Sequence, residues 1–383
     1  MSLFCRAGRG HPLIRDDRLK PTIALAAGGT GGHLFPAEAL ARELMSRGHE
    51  VVIHTERRGA QYAQALQGLP HVVLPASSLE GGLAAKARAA LTILRAVLAS
   101  RRDLRRRGAA VMVGFGGYPS FAPALAARSL GLPLLLHEQA TRLSKANAQL
   151  LRFADALATS FPAVAGTEGF KPGRIVETGN PVRQAILQAR GAYPPLEADG
   201  SLDLLVVGGS QSAAVFGRVV PPALELLPAS LRRRLRLSLQ YRGDDAEAIA
   251  ARLRAAGIES TVRPFFEDMG ERLRAAHLVV TRAGATTAAD LLTIGRPAIF
   301  VPLPHGGARE EQRRNAQTLA QAGVGWHVDE GDLSPESLAM ILREAFESPS
   351  RLPEAARAAA ALGRPDAAAR LADAVERLLP ASR

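Results

Sequence analysis

The chain has 383 residues, 47% hydrophobic and 22% charged, enough for two or three domains with real cores and too apolar for a disordered chain. Its formal charge of +12 comes from 48 basic against 36 acidic residues; 44 of the 48 are Arg, a bias that GC-rich codons explain without any functional demand. Cys5 is the single cysteine, which excludes an internal disulfide and a cysteine-built zinc site and fits a reducing compartment.

Residues 1–20 carry Arg6, Arg9, Arg15, Asp16, Asp17 and Arg18 with no apolar run behind them. They read as an extension before the first strand, not as a secretory signal. Strand-like runs follow at 22–27, 51–55, 72–74, 109–113, 132–136 and 156–159, and helical patterns at 35–47, 84–106, 121–129 and 143–153 separate most of them. That alternation predicts βαβ units and a parallel sheet. The longest uncharged run, 108–127, has the length of a membrane span, but Gly108, Gly114, Gly116, Gly117, Pro119 and Pro123 make it a strand, a turn and a helix. Breakers at Asn180-Pro181 and across 191–200 then interrupt the pattern, and it restarts with strands at 202–207, 235–240, 261–262, 278–281, 298–301 and 325–328. A last helix, 366–379, is free to pack on either half.

Three glycine turns follow strands: Gly28-Gly29-Thr30-Gly31-Gly32-His33, Gly114-Phe115-Gly116-Gly117-Tyr118 and Gly208-Gly209-Ser210-Gln211. Glycine lets a ligand approach the backbone closely, and a helix opening behind the turn offers free N–H groups to a phosphate. One such turn is often no more than a tight connection. Three at the carboxyl ends of parallel strands point to one ligand cleft. The spacing is neither the dinucleotide G-x-G-x-x-G nor a P-loop, which disfavours a nicotinamide-dependent oxidoreductase. His33, at a helix start, reads either as a polar cap or as a general base at the mouth of that cleft.

With His137-Glu138-Gln139, Gly179-Asn180-Pro181-Val182-Arg183 and Arg282-Ala283-Gly284-Ala285 added, six motifs stand in an order that resembles the MurG family of glycosyltransferases over about residues 21–380. The resemblance implies a GT-B fold of class α/β, two Rossmann-like parallel-sheet domains facing a central cleft. It implies an acceptor and membrane-side domain at 21–181, with the C-terminal helix 366–380 packing back on it, and a UDP-GlcNAc domain at 182–365. The implied activity is that of an inverting hexosyltransferase moving GlcNAc from UDP-GlcNAc to the 4-hydroxyl of MurNAc in lipid I. That makes lipid II for cell-wall biogenesis, cell shape and cell division, at the cytoplasmic face of the inner membrane.

Carried over residue by residue, Ala285, Thr286, Thr287 and Asp290 belong to a helix facing the diphosphate and ribose. Phe266 meets the uracil through its backbone, Ser210 and Arg183 lie on the nucleotide side, and Gln312 contacts the sugar. Thr30, Gly31 and Gly32 line the donor–acceptor side; His33 is the base candidate and Glu138 the reserve. No Asp-x-Asp occurs, so no cofactor and no metal are expected, and a helix dipole, amides and Arg replace the clamp. The chain departs from the family at Asp290 (normally Glu), Ala140 (Asn), Ser212 (Gly) and Glu311 (Gln or His), each removing or shifting a polar contact of ~1–3 kcal/mol.

Residues 86–107 hold eight basic side chains against Asp103, interleaved with Leu91, Ile93, Leu94, Val97 and Leu98. This is a solvated face, an anionic-membrane surface, or a nucleic-acid patch. A lipid-linked acceptor favours the membrane, and 4% aromatics with no recognition motif disfavours nucleic acid. Cell-wall or divisome proteins are further expected partners. The rival readings are a UDP-sugar transferase on another lipid acceptor and a non-catalytic sugar-nucleotide binder.

Overall fold

The computed structural model describes residues 20–28, 31–61, 66–77, 82–197, 199–208, 214–306 and 309–380. The N-terminal extension before Lys20, and Thr30, Ser210 and Ser212, lie outside the described residues. Two wholly parallel sheets carry the fold. The first has seven strands in the order β3-β2-β1-β4-β5-β6-β7, with β1 Lys20–Ala26, β2 His49–Thr55, β3 His71–Val73, β4 Ala109–Gly114, β5 Leu134–Glu138, β6 Ala156–Thr159 and β7 Ile175–Glu177. The second has six in the order β10-β9-β8-β11-β12-β13: β8 Leu202–Val207, β9 Leu235–Gln240, β10 Glu259–Arg263, β11 Leu278–Thr281, β12 Ala298–Phe300 and β13 Gly325–His327.

The central strands are apolar on both faces because both faces are covered. Ile23 and Leu25 of β1 pack into one core with Leu40 and Leu44, while Ala24 and Ala26 enter another with Met112 and Leu136. β8 divides its side chains in the same way, Leu204 and Val206 to one core and Leu205 and Val207 to the other. Each sheet reverses its strand order once, between β1 and β4 and between β8 and β11. Such switch points open a crevice at the carboxyl ends of the strands. The three glycine turns and the segment after β11 all start there.

The described structure differs from the sequence reading in a few places. β7 is an edge strand of three residues, too short to register as a pattern. The first helix runs Gly31–Ser46 and so begins four residues before the expected start, with Pro36 inside it. The expected helix 143–153 is Lys145–Leu150 followed by a 3₁₀ turn, because Ser144 Oγ accepts from Asn147 N and fixes the helix start. Run 108–127 becomes β4 and the start of the helix Phe121–Ser129. No helix among the described residues is long and apolar enough to cross a membrane.

The last helix, Ala367–Glu376, packs Leu371 and Val375 into the core of the first sheet. Arg47 ties it down, with Nη1 at 2.6 Å from Asp373 Oδ1 and 2.9 Å from Glu376 Oε2. The chain therefore passes between the halves twice, and the two crossings touch. Gly179 has φ +81°, and a side chain there would come within 2.6 Å of Arg364 Cβ.

Candidate functional site

The first helix starts the site. In a regular helix the Gly32 carbonyl would accept from the N–H of residue 36, but Pro36 has none. The freed oxygen is taken by the other half of the molecule: Thr286 Oγ1 donates to it at 3.0 Å. Gly31 is glycine because a Cβ there would stand 2.7 Å from the Phe35 ring. That ring cannot swing away freely, since the Arg183 guanidinium stacks over it at 4.4 Å. Arg183 also reaches Asp290, Nη2 to Oδ2 at 3.6 Å. Phe35 and Gly32 of one half thus meet Arg183, Thr286 and Asp290 of the other.

His33 lies over the second glycine turn. Gly116 and Gly117 have φ of +80° and +70°, and a Cβ on Gly117 would lie 3.6 Å from His33 Cε1. The positive φ at both positions is what requires glycine, since a Cβ on Gly117 would be in ordinary contact with the ring. Burial lowers the His33 pKa to about 4, so the imidazole is neutral at pH 7. His137, at the end of β5, is also held neutral, its pKa lowered to about 4 by burial first and by His33 nearby, against the Gly179 carbonyl. His137 Nε2 meets the Gly179 carbonyl at 3.1 Å and is positioned as a structural group.

Glu138 is 3% exposed. Its Oε1 accepts from Ala140 N at 3.1 Å, and its Oε2 accepts from Ser144 N and Asn147 Nδ2, both at 2.8 Å. Burial raises its pKa, against the pull of those donors. Its carboxylate therefore shapes the turn after β5. From the other half, Glu311 feels that carboxylate. Burial first and Glu138 second raise the Glu311 pKa to about 7.

In the C-terminal half, the helix Ala285–Ile294 opens behind β11 with Gly284 as an N-cap that brings no side chain to its free N–H groups. Ala285, Thr286 and Thr287 are its first turn, and Asp290 lies one turn on, 7% exposed. Burial raises the Asp290 pKa to about 6, with Arg183 opposing the rise. Gln312 sits on the helix Arg309–Gln321, its Oε1 accepting from Leu303 N at 3.1 Å. Its Nε2 is then the free end, 3.9 Å from where a Cβ on Gly284 would be. Phe266 lies past β10 with its ring buried and Arg272 stacked on it at 4.2 Å, so only its backbone is offered. Gly31, Gly32, His33, Arg183, Thr286 and Asp290 come together at one place. Ala285, Thr287 and Gln312 flank it, Glu138 stands behind the second turn, and Phe266 is three strand positions from β11.

Sequence reasoning missed the interlocking role of Phe35 and the consequence of Pro36, although the proline's position inside a helical pattern was a usable signal. Among the described residues no group of three or more His, Cys, Asp or Glu side chains could hold a metal ion.

Residues 23–159 match the glycosyltransferase family 28 N-terminal domain and residues 203–371 the family's C-terminal domain. The chain is 48% identical over 356 residues to the UDP-N-acetylglucosamine–N-acetylmuramyl-(pentapeptide) pyrophosphoryl-undecaprenol N-acetylglucosamine transferase of Rhodospirillum centenum, covering 92% of this chain and 93% of that one. It is 47% identical over 359 residues to the protein of the same name from a Methylobacterium species, covering 92% and 95%. The crystal structure of Acinetobacter baumannii MurG superposes with a TM-score of 0.75 at 30% identity, over 94% of this chain and all of that one.

Proposed function

The chain belongs to the MurG family of glycosyltransferase family 28, and from that premise we propose that the C-terminal half holds the donor while the N-terminal half supplies the base. The enzyme transfers N-acetylglucosamine from UDP-GlcNAc to lipid I in peptidoglycan synthesis. We place the boundary between its two domains at 181/182. The observation that supports the division of labour is the meeting of Gly32 with Thr286, and of Phe35 with Arg183 beside Asp290, across the cleft, with His33 next to Gly32.

The donor's diphosphate is a dianion. The uncapped amino end of the 285–294 helix offers it free N–H groups and a partial positive charge. Arg183 is within reach of the same end. When UDP departs, the negative charge that develops is met by groups already in position, which is where electrostatic catalysis is largest. Asp290 accepts from the ribose hydroxyls, and Phe266 meets the uracil through its backbone.

The acceptor is a sugar hydroxyl that must lose a proton as it attacks. His33 is neutral at physiological pH and takes that proton. Its low pKa makes it a weak base in the empty cleft, but a bound diphosphate favours the imidazolium and raises its basicity where it is needed. Attack opposite the departing UDP inverts the anomeric centre in one displacement. Glu138 is the weaker candidate, because both of its oxygens are committed to N–H donors.

The acceptor's lipid requires a membrane face. The helix Leu83–Arg107 turns Ala89, Ala96, Ser100 and Leu104 inward and leaves Leu91, Leu94 and Leu98 about half exposed. Arg95, Arg102, Arg105 and Arg106 surround that leucine stripe on the exposed surface. A solvated face would not need the leucines. A peripheral site on an anionic bilayer uses both, and it lies on the cytoplasmic side where UDP-GlcNAc is available. Cell-shape and division roles, and cell-wall protein partners, follow from the same reading. The test of the catalytic assignment is His33→Ala: turnover of a lipid I analogue should fall 10²–10⁴-fold with UDP-GlcNAc affinity within a few-fold. A loss under about tenfold would remove His33 as the base and make Glu138→Gln the deciding variant.

A further inference from the structure

The reaction so described uses Gln312 but leaves Arg282, just behind it, without a role. Arg282 follows β11 and is 7% exposed. Its Nη1 donates to the carbonyl oxygens of Val301 and Pro302, each at 3.1 Å, in the segment that leaves β12. Its Nη2 pairs with Glu330 Oε2 at 2.5 Å, in the 3₁₀ turn beyond β13. The guanidinium also lies 5.4 Å from the Phe216 ring, on the helix Ala214–Glu225 that follows β8. One buried side chain therefore binds the structure at the carboxyl ends of four of the six strands.

What Arg282 holds is the segment that orients Gln312. Residues 301–303 end with the Leu303 N–H that occupies Gln312 Oε1. Asn315, one turn further along the same helix, donates its Nδ2 to the Ala283 carbonyl at 3.1 Å and closes the ring back to the residue after Arg282. With Oε1 engaged, Gln312 can offer only its Nε2 donor towards the amino end of the 285–294 helix. Val301 is buried in the core of that half and its N–H donates to the Thr281 carbonyl at 2.8 Å, so the strand end is anchored and Arg282 fixes the segment beyond it. Without an acid partner, Arg282 would hold it with an uncompensated buried charge, which is costly. Glu330 removes that cost.

We propose that Arg282 and Glu330 form a positioning pair for the donor sugar. They fix residues 301–303 so that Gln312 Nε2 donates to an oxygen acceptor of the sugar, a hydroxyl or the acetamide carbonyl. The inference rests on the reading of this cleft as the UDP-GlcNAc site. It separates the sugar from the nucleotide, because the UDP contacts at the 285–294 helix and Phe266 do not run through 301–303.

The experiment compares full-length wild type with Glu330→Ala, Glu330→Gln, Gln312→Ala and the Glu330→Ala/Gln312→Ala double variant. It reads kcat and KM with UDP-GlcNAc, the Kd of UDP alone, and the thermal midpoint. Glu330→Ala should raise the KM for UDP-GlcNAc about tenfold and leave UDP affinity within about threefold, a misplacement effect on one ligand group. Glu330→Gln, which keeps an acceptor oxygen for Arg282, should recover most of the loss. On the Gln312→Ala background Glu330→Ala should add little, because the pair acts through that amide. Equal losses for UDP and UDP-GlcNAc, unchanged KM, or additive effects in the double variant would each overturn the proposal. A wild-type chain with no turnover of UDP-GlcNAc would overturn the donor reading itself, and is told apart because the failure then precedes any substitution.

Discussion

At Pro36 a single missing N–H decides how the two halves meet. The carbonyl it frees on Gly32 takes the Thr286 hydroxyl, and the next residue, His33, is held over Gly117. Thr286→Val removes that donor and should loosen the cleft, costing about 1 kcal/mol of stability by denaturant titration; a stability equal to wild type would mean the bond carries no weight. The pH dependence follows from two groups. Asp290 has its pKa raised to about 6, so it is ionised above that value and loses its charge as pH falls through it. At pH 5 only about a tenth remains ionised, so KM for UDP-GlcNAc should rise about tenfold from pH 7.5, and Asp290→Asn should abolish that dependence. His33, at about 4 in the empty enzyme, stays in its base form over this range, so the acid limb of kcat should lie above pH 4 once the diphosphate is bound. A KM for UDP-GlcNAc that rises equally in wild type and Asp290→Asn as the pH falls would contradict the ribose assignment. Much of this site was legible, because glycine turns and a histidine beside one are local patterns. Arg282 with Glu330, and Phe35 with Arg183, were not. They lie 48 and 148 positions apart in the chain, and only the fold brings them together.

The basic helix Leu83–Arg107 shows what periodicity could and could not reveal. Its length, its charge and the Gly108 stop were readable, and Gly108 does cap it in the left-handed conformation at φ 62°. The direction of its faces was not. The inward face is built from Ala89, Ala96, Ser100, Asp103 and Leu104, and Leu91, Leu94 and Leu98 are left outward. At its centre His54, on β2, joins Ser100 Oγ and Asp103 Oδ2 at 3.0 Å each, all buried. Ser100 is fully enclosed, so this Ser–His–Asp array anchors the helix and performs no chemistry. The His54 contact, with Arg107 behind it, holds the Asp103 carboxyl well below the usual range. His54→Ala should lower stability by about 1–3 kcal/mol in a denaturant titration without altering donor affinity. Leu94→Glu with Leu98→Glu leaves that anchor intact and should strongly reduce binding to vesicles containing anionic lipid. Retained vesicle binding would move the membrane face elsewhere. The ends of the helices at 84–106 and 121–129 read to within a residue, whereas β5 starts two residues later than expected, at Leu134, after Pro133. The start of the first helix was misread because a proline usually marks a first turn, and here it lies inside.

In the whole molecule, two α/β halves are joined by two adjacent crossings, at 179–182 and 363–366, and among the described residues they meet at Gly32 with Thr286 and at Phe35 with Arg183. With helix N–H groups and Arg183 proposed to meet the leaving group, EDTA should leave turnover within about tenfold; a larger loss restored by Mg²⁺ or Mn²⁺ would reveal a metal step. The most direct test of the account is the product itself. Purified chain is incubated with a lipid I analogue and UDP-GlcNAc, alongside UDP-GalNAc and UDP-glucose, and the disaccharide linkage is determined by NMR. The account predicts rapid transfer from UDP-GlcNAc, little from the others, and a β-1,4 linkage formed with inversion. An α linkage, or preferred transfer from another UDP-sugar, would contradict it.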